Sequence, residues 1–302
     1  MKPEDQERFR RLYAENLRAL RLHGKRSKTI DSYSRTLRRV ANFFDRCPDD
    51  LSVDELKQYF SALLEHYSWS TIKVDLCGLQ FFHRYVLDRR MEWVKIIQPP
   101  RSRTLPDIPT REELHLLINT VRRLRYRVFF LAVYSMGLRI SEGVDLEIGD
   151  IDGKQLRVHI RDGKGGKDRY MPLPVVTLLN LRRFWKTHRH PRLLFPSPSG
   201  NRFMAQSASK PMDRSGIQKA LRAACAECGI QKHLTVHSLR HAYATHLLEL
   251  GADLRQIQGL LGHSHANTTA RYAHISDKVR QQSGSQVEAL LGDFQLRWEE
   301  EQ

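Results

Sequence analysis

His237-Ser238-Leu239-Arg240-His241-Ala242-Tyr243-Ala244-Thr245-His246 is the stretch whose reading decides the fold. It opens a helix that runs from Ser238 to Leu250, and a spacing of three puts His237 and Arg240 on one helical face, within reach of a common ligand. A planar guanidinium beside an imidazole suits a phosphate, which accepts paired N–H donors. Taken by itself, His-x-x-Arg occurs by chance in many capped surface helices. Its meaning comes from its company. Downstream stand Leu261-Gly262-His263, with His265 close behind, and then Arg271-Tyr272; far upstream stands Gly137-Leu138-Arg139-Ile140-Ser141-Glu142. Two arginines to hold an anion, two histidines to share charge and protons, and a phenol as nucleophile make a set suited to attack on a DNA phosphate without a metal.

Arg139 opens a short helical segment, so Glu142 falls one turn later and is placed to brace the guanidinium; a surface ion pair is the competing reading. Lys164 stands in Asp162-Gly163-Lys164-Gly165-Gly166, a hairpin tip where glycine lets the backbone approach a ligand and the ammonium can donate a proton. Lys167 competes for that role, and a solvated turn lysine would look similar. Tyr272 follows Ala266 to Arg271, and burial in a core is the commonest fate of a lone tyrosine.

Around these motifs the chain reads as mainly α, in two domains. Thr110, followed by Glu112 and Glu113, opens a helix to about Val121, and Tyr126 to Met136 forms a strongly apolar one. Asp150-Ile151-Asp152-Gly153-Lys154 reads as a turn, after which Gln155–Ile160 and Lys167–Leu173 alternate as two strands of a small antiparallel sheet. Helices resume at Val175 to Trp185, Gly216 to Cys228, Leu254 to Leu261 and from Thr268 onward. Residues 277–291 form an amphipathic helix with Val279, Val287, Leu290 and Leu291 for contact, either on a neighbouring protomer or on the chain's own core. The acidic tail from Trp298 to Gln302 is expected to fray or to dock on a partner.

Towards the N-terminus, residues 98–109 hold Pro99, Pro100, Pro106 and Pro109 with Arg101 and Arg103 between them, a density of proline that resists helix and sheet. This is the expected linker, whether a basic strap lying along DNA or a plain tether. Residues 1–97 read as successive amphipathic helices. Leu12, Leu17, Leu20 and Leu22 mark the first, and Ile30, Tyr33, Leu37, Val40 and Phe44 mark the second. The third runs from Val53 to His66 under Ser52, and a fourth, opened by Ser68 or Ser70, carries Ile72, Leu76, Leu79, Phe82 and Tyr85. Residues 110–302 make up the second domain.

The 302 residues include 50 Lys and Arg against 34 Asp and Glu, a net charge of +16, for which a long polyanion is the natural partner. No stretch approaches the roughly 20 uninterrupted apolar residues of a membrane helix. The polar opening from Met1 to Gln6 has no signal-peptide core, so a cytoplasmic, DNA-associated protein is expected. Cys47, Cys77, Cys225 and Cys228 are too few for a disulfide framework, and Cys225-Ala226-Glu227-Cys228 lacks the second pair a zinc site needs.

Arg139, Lys164, His237, Arg240, His263 and Tyr272 occur in the order, and near the spacing, found in the tyrosine recombinases of the phage-type integrase family. The chain resembles especially the compact Xer-type and the transposon or phage integrase members, and the likeness is strongest over Gly137 to Asp150 and Thr235 to Ile275. The resemblance implies a helical DNA-clamping core-binding domain followed by a catalytic domain. It also implies a site-specific recombinase that cuts and rejoins double-stranded DNA through a 3′-phosphotyrosyl intermediate, with no cofactor and no metal. By this likeness Tyr272 is the nucleophile, Arg139 and Arg240 bind the nonbridging oxygens, and Lys164 protonates the leaving 5′-oxygen. His237 acts as acid or base, His263 hydrogen-bonds the phosphate, and the working form is a homotetramer on two recombination sites. A type IB topoisomerase uses a similar group of residues, and a DNA-binding protein that has lost catalysis would share the charge.

Overall fold

The computed structural model describes residues 1–90, 92–93, 96–98, 107–161, 168–197, 205–262 and 277–292, with the backbone alone at Leu254 and 277–283. The chain divides into two units, Met1–Thr104 and Leu105–Gln302. Each has its own apolar core.

Among the described residues the first unit holds four α-helices, α1 (Pro3–Leu22), α2 (Ser27–Phe44), α3 (Val53–His66) and α4 (Trp69–Tyr85). Helix α3 begins where a capping box forms: the Ser52 hydroxyl accepts from the Glu55 amide, and the Glu55 carboxylate accepts from the Ser52 amide at 2.8 Å. The stripe that α1 buries is Leu12, Asn16 and Leu20, spaced by four. Leu22, expected on that stripe, is exposed instead, because two residues past Leu20 the helix has turned about 200° away from the core. Buried Asp75 of α4 ties the bundle together, accepting from Thr36 at 2.9 Å and Arg39 at 2.8 Å on α2 and from Tyr59 at 2.7 Å on α3.

The second unit is built around α6 (Leu124–Ser135), which is buried from Arg127 to Ser135 without a break, as an all-round apolar helix must be. Against it pack α8 (Val175–His188) and α10 (Val236–Glu249). Also described in this unit are α5 (Arg111–Thr120), α7 (Ile140–Val144), α9 (Arg214–Glu227), α11 (Leu254–Leu261) and α12 (Asp277–Leu291). Residues 107–109 are anchored in this unit. Asp107 accepts from the His233 amide at 2.9 Å, and the Pro109 carbonyl takes a contact at 3.2 Å from His246, whose other ring nitrogen meets Tyr134 at 3.0 Å.

The sheet is a three-stranded antiparallel meander, β1 (Ile151–Asp152), β2 (Arg157–Ile160) and β3 (Arg169–Pro172), in the order β1-β2-β3. Strand β1 is a correction: Ile151 and Asp152, expected within a turn, pair with Val158 and Arg157. Two residues are too few to show an alternation, so only the register reveals them. Val158 and Ile160 face the core, and their cross-strand partners on that same face are Met171 and Arg169. The tip that carries Lys164 and Lys167 lies outside the described residues.

Helix α12 answers the question of what its apolar residues contact. Val287, Leu290 and Leu291 are buried in the core of their own unit. The side chain of Val279 lies outside the described residues, as do the start of a helix at Thr268 and the acidic tail.

Candidate active site

The backbone between α6 and α7 reverses at Gly137, whose φ of +56° lies in the left-handed region that favours glycine. A side chain is excluded there for a second reason, since a Cβ would stand 2.5 Å from the ring of buried Tyr243. Two residues later Arg139 caps α7, a helix so short that Glu142 sits at its third position. The Glu142 carboxylate turns back to accept from the Arg139 amide at 2.9 Å and from Arg139 Nη1 at 2.5 Å.

Helix α10 starts at Val236 under a Thr235 cap, two residues earlier than the sequence suggested. His237 therefore stands in its first turn. Thr235 and Ser238 satisfy each other and the first amides, which leaves the imidazole free to project; its ring meets His241 edge to face at 4.6 Å. One turn on, Arg240 is 1% exposed. A guanidinium that deep is tolerable only with its donors placed. Nη1 donates to the Gly137 carbonyl at 2.7 Å, and Nη2 donates to the Leu261 carbonyl at 2.5 Å, at the end of α11. Arg240 Nη1 also stands 3.6 Å from Glu142 Oε2. Thus α10 brings its arginine to the segment that carries Arg139 and to the residues that precede His263.

One member of the cluster escaped the reading of the sequence. Arg169, the first residue of β3, makes a two-pronged pair with Glu142, Nη1 to Oε1 at 2.9 Å and Nη2 to Oε2 at 2.7 Å. Its Nε donates to the Leu260 carbonyl at 3.0 Å. The available signal was parity, for Arg169 is a charge at the strand position whose neighbour two residues on, Met171, is core.

Electrostatics follow from this arrangement. Burial alone would raise the Glu142 carboxyl, but the hydrogen bonds and charge of Arg169, then those of Arg139, overcome it and hold the group at about 2. Burial first, and Arg139 second, push Arg240 down to about 9, which leaves it cationic at neutral pH. Desolvation, followed by the charges of His241, Arg240 and Arg139, lowers His237 below the ordinary histidine range. The shift favours the neutral imidazole, the form that can accept a proton. Three guanidinium groups around one carboxylate leave an excess of positive charge in a region of low dielectric, which is the setting for a bound anion.

Of the residues singled out from the sequence, Arg139, Glu142, His237 and Arg240 are gathered here. Lys164, His263 and Tyr272 lie outside the described residues, although β3 and α11, which border two of them, both contact the cluster. Among the described residues no group of three or more His, Cys, Asp or Glu side chains is placed to hold a metal ion. None of their helices is long and apolar enough to cross a membrane.

Residues 109–279, more than half of the chain, match the family described as Phage integrase family. The chain belongs to that family. Residues 12–93 of this integrase match the Phage integrase, N-terminal SAM-like domain. A Sinorhizobium fredii protein that bears an integrase/recombinase name is 36% identical over 250 residues, 81% of this chain and 78% of that one. The tyrosine recombinase XerD of Staphylococcus saprophyticus is 30% identical over 288 residues, covering 91% of this chain and 94% of its own. A lambda integrase tetramer bound to a Holliday junction shares the fold, with a TM-score of 0.69 at 14% identity over 86% of this chain and 78% of that one. The protein is a tyrosine recombinase, an enzyme of site-specific DNA recombination that cleaves and rejoins strands.

Proposed function

We propose that Tyr272 is the nucleophile of this recombinase and that Arg139 and Arg240 hold the nonbridging oxygens of the scissile phosphate. The reading is supported by one observation above all, that arginines from two distant segments meet over a single buried carboxylate, with the His237 imidazole one helical turn from Arg240. A free phenol titrates near 10, so only about one molecule in a thousand is ionised at neutral pH. A base and a dense cationic setting are therefore required, and His237 with the two arginines supplies them.

In the first step Tyr272 Oη attacks phosphorus, the bond from phosphorus to the 5′-oxygen breaks, and a 3′-phosphotyrosyl ester forms. The phenolic proton passes to His237. Lys164 gives a proton to the departing 5′-oxygen, and His263 donates a hydrogen bond to the phosphate. In the second step a 5′-hydroxyl of the partner strand gives its proton to Lys164 and attacks the ester, and Tyr272 leaves with the proton that His237 held. One phosphodiester is exchanged for another, so no nucleotide cofactor is consumed.

Residues 1–97 clamp the duplex, residues 98–109 link, and residues 110–302 carry the chemistry. Exchange of two strands at each of two sites needs four nucleophiles, which assigns a homotetramer on DNA in the cytoplasm; the fold shared with lambda integrase, solved as a tetramer on a Holliday junction, supports that assembly. The test is Tyr272→Phe. It is expected to bind the duplex recovered by selection from random sequences yet form no covalent adduct with a nicked suicide version of it on denaturing gels. An adduct that survives the substitution overturns the assignment.

A further inference from the structure

We infer that Arg169 is a positioning residue for the reaction: it occupies Glu142 so that the carboxylate, which already holds Arg139, does not also capture the Arg240 guanidinium intended for the phosphate. The inference rests on the roles proposed above for Arg139 and Arg240.

Glu142 accepts four N–H donors, two from Arg139 and two from Arg169, and both of its oxygens are used by each partner. Arg240 is the arginine left out. Its Nη1 is only 3.6 Å from Oε2, close enough to bond after a small rotation, yet it donates to the Gly137 carbonyl instead. What blocks that rotation is the fork of Arg169, because a bidentate guanidinium at low dielectric is a far better partner than a third, single contact. The charge arithmetic points the same way. One carboxylate offsets one of the three guanidinium charges, so with Arg169 present the cluster keeps an excess of two positive charges to face the charge that accumulates on a pentacoordinate phosphorus.

Arg169 also reaches the segment before His263. Its Nε holds the Leu260 carbonyl, and Gly262, in the left-handed region at φ +60°, would place a Cβ 3.2 Å from the arginine's Cδ. The same side chain therefore sets the carboxylate on one side and the end of α11 on the other. Without it, Glu142 turns to Arg240 as well as Arg139, and a donor meant for a substrate oxygen is spent inside the protein.

The experiment uses the full chain and a nicked suicide duplex that carries the site recovered by selection from random sequences. Single-turnover adduct formation at saturating protein, duplex affinity and thermal melting are measured for wild type, Arg169→Ala, and Arg169→Ala with Glu142→Gln. Arg169→Ala is expected to slow cleavage by on the order of a hundredfold, a loss of the size seen when one transition-state donor is removed, with affinity little changed. The added Glu142→Gln removes the competing charge and should recover about tenfold or more of that loss, a rescue that a merely structural role does not produce. Cleavage by Arg169→Ala near the wild-type rate, or a double variant no faster than the single one, overturns the inference. If Arg169→Ala melts far below wild type, the same comparison on Arg169→Gln decides by the same criterion, since an amide keeps a donor and much of the side chain while removing the charge that offsets Glu142. Failure of wild type itself to form a Tyr272-dependent adduct would bring down the phosphotyrosyl reading and this inference together.

Discussion

Glu142 shows how one side chain organises a site that it does not enter. It is 8% exposed, a position where a lone carboxylate would hold its proton, and it is ionised because four donors point at it. That has a consequence for stability. An unfolded Glu142 titrates near its ordinary value of 4.5 while the folded one is held at about 2. Above 4.5 both forms are ionised and the full stabilisation is present; as the pH falls from 4.5 towards 2 the unfolded chain takes up a proton that the folded chain refuses, and stability is lost. The difference is worth on the order of 3 kcal/mol. Urea unfolding at successive pH values should show the wild type losing stability below about pH 4.5 more steeply than Glu142→Gln, which starts weaker at neutral pH. Parallel curves for the two proteins would show that this carboxylate is not what the acid titrates. From the sequence, Glu142 was visible through its spacing from Arg139, whereas Arg169 was not. A helix fixes which residues three apart will meet, but the pairing of a strand residue with a helix in another part of the chain is a tertiary fact that no local spacing carries.

At the scale of elements the difference between the legible and the hidden follows the same line. Helix α3 under Ser52 and α5 under Thr110 were readable because a capping box is written in consecutive residues. Helix α6 was readable from an apolar run. Strand β1 was hidden because two residues have no period, and α10 begins earlier than expected because Thr235, rather than His237, meets the first amides. The junction of α6 and α7 combines both kinds of information. Gly137 could be read as a turn residue, but the ring of Tyr243 packed where its side chain would be could not. Gly137→Ala is therefore expected to cost more than the roughly 1 kcal/mol of left-handed strain alone, about 2–4 kcal/mol with the repacking of Tyr243 included. Because the Gly137 carbonyl holds Arg240, cleavage should fall with it. Denaturant unfolding of the variant measures the first effect. A loss below about 0.5 kcal/mol, typical of an open surface position, would mean that the contact with Tyr243 relaxes freely.

At the scale of the molecule, charge and core act at different ranges. The cores of both units and the cis packing of Val287, Leu290 and Leu291 hold the chain together over a few ångströms. The excess of 16 positive charges works over the Debye length, about 8 Å at physiological salt, and supplies the attraction to duplex phosphates. Composition announced this partner before any motif was read, because a net charge needs no fold to be counted; in the proposed reaction the cut phosphate is held at the buried cluster, where salt penetrates little. The two stages of the reaction should therefore respond differently to ionic strength. If the protein neutralises on the order of 6–10 phosphates, its affinity falls by about 10³–10⁵ between roughly 50 and 200 mM salt. A covalent adduct formed at low salt persists when the salt is raised, since a phosphotyrosyl ester is not held by counterion release. Anisotropy titrations over a salt series give the slope, and denaturing gels on the same samples give the adduct. A duplex affinity nearly independent of salt would mean that the positive charge is turned away from the DNA, and it would remove the electrostatic account of how the scissile phosphate is brought to Arg139 and Arg240.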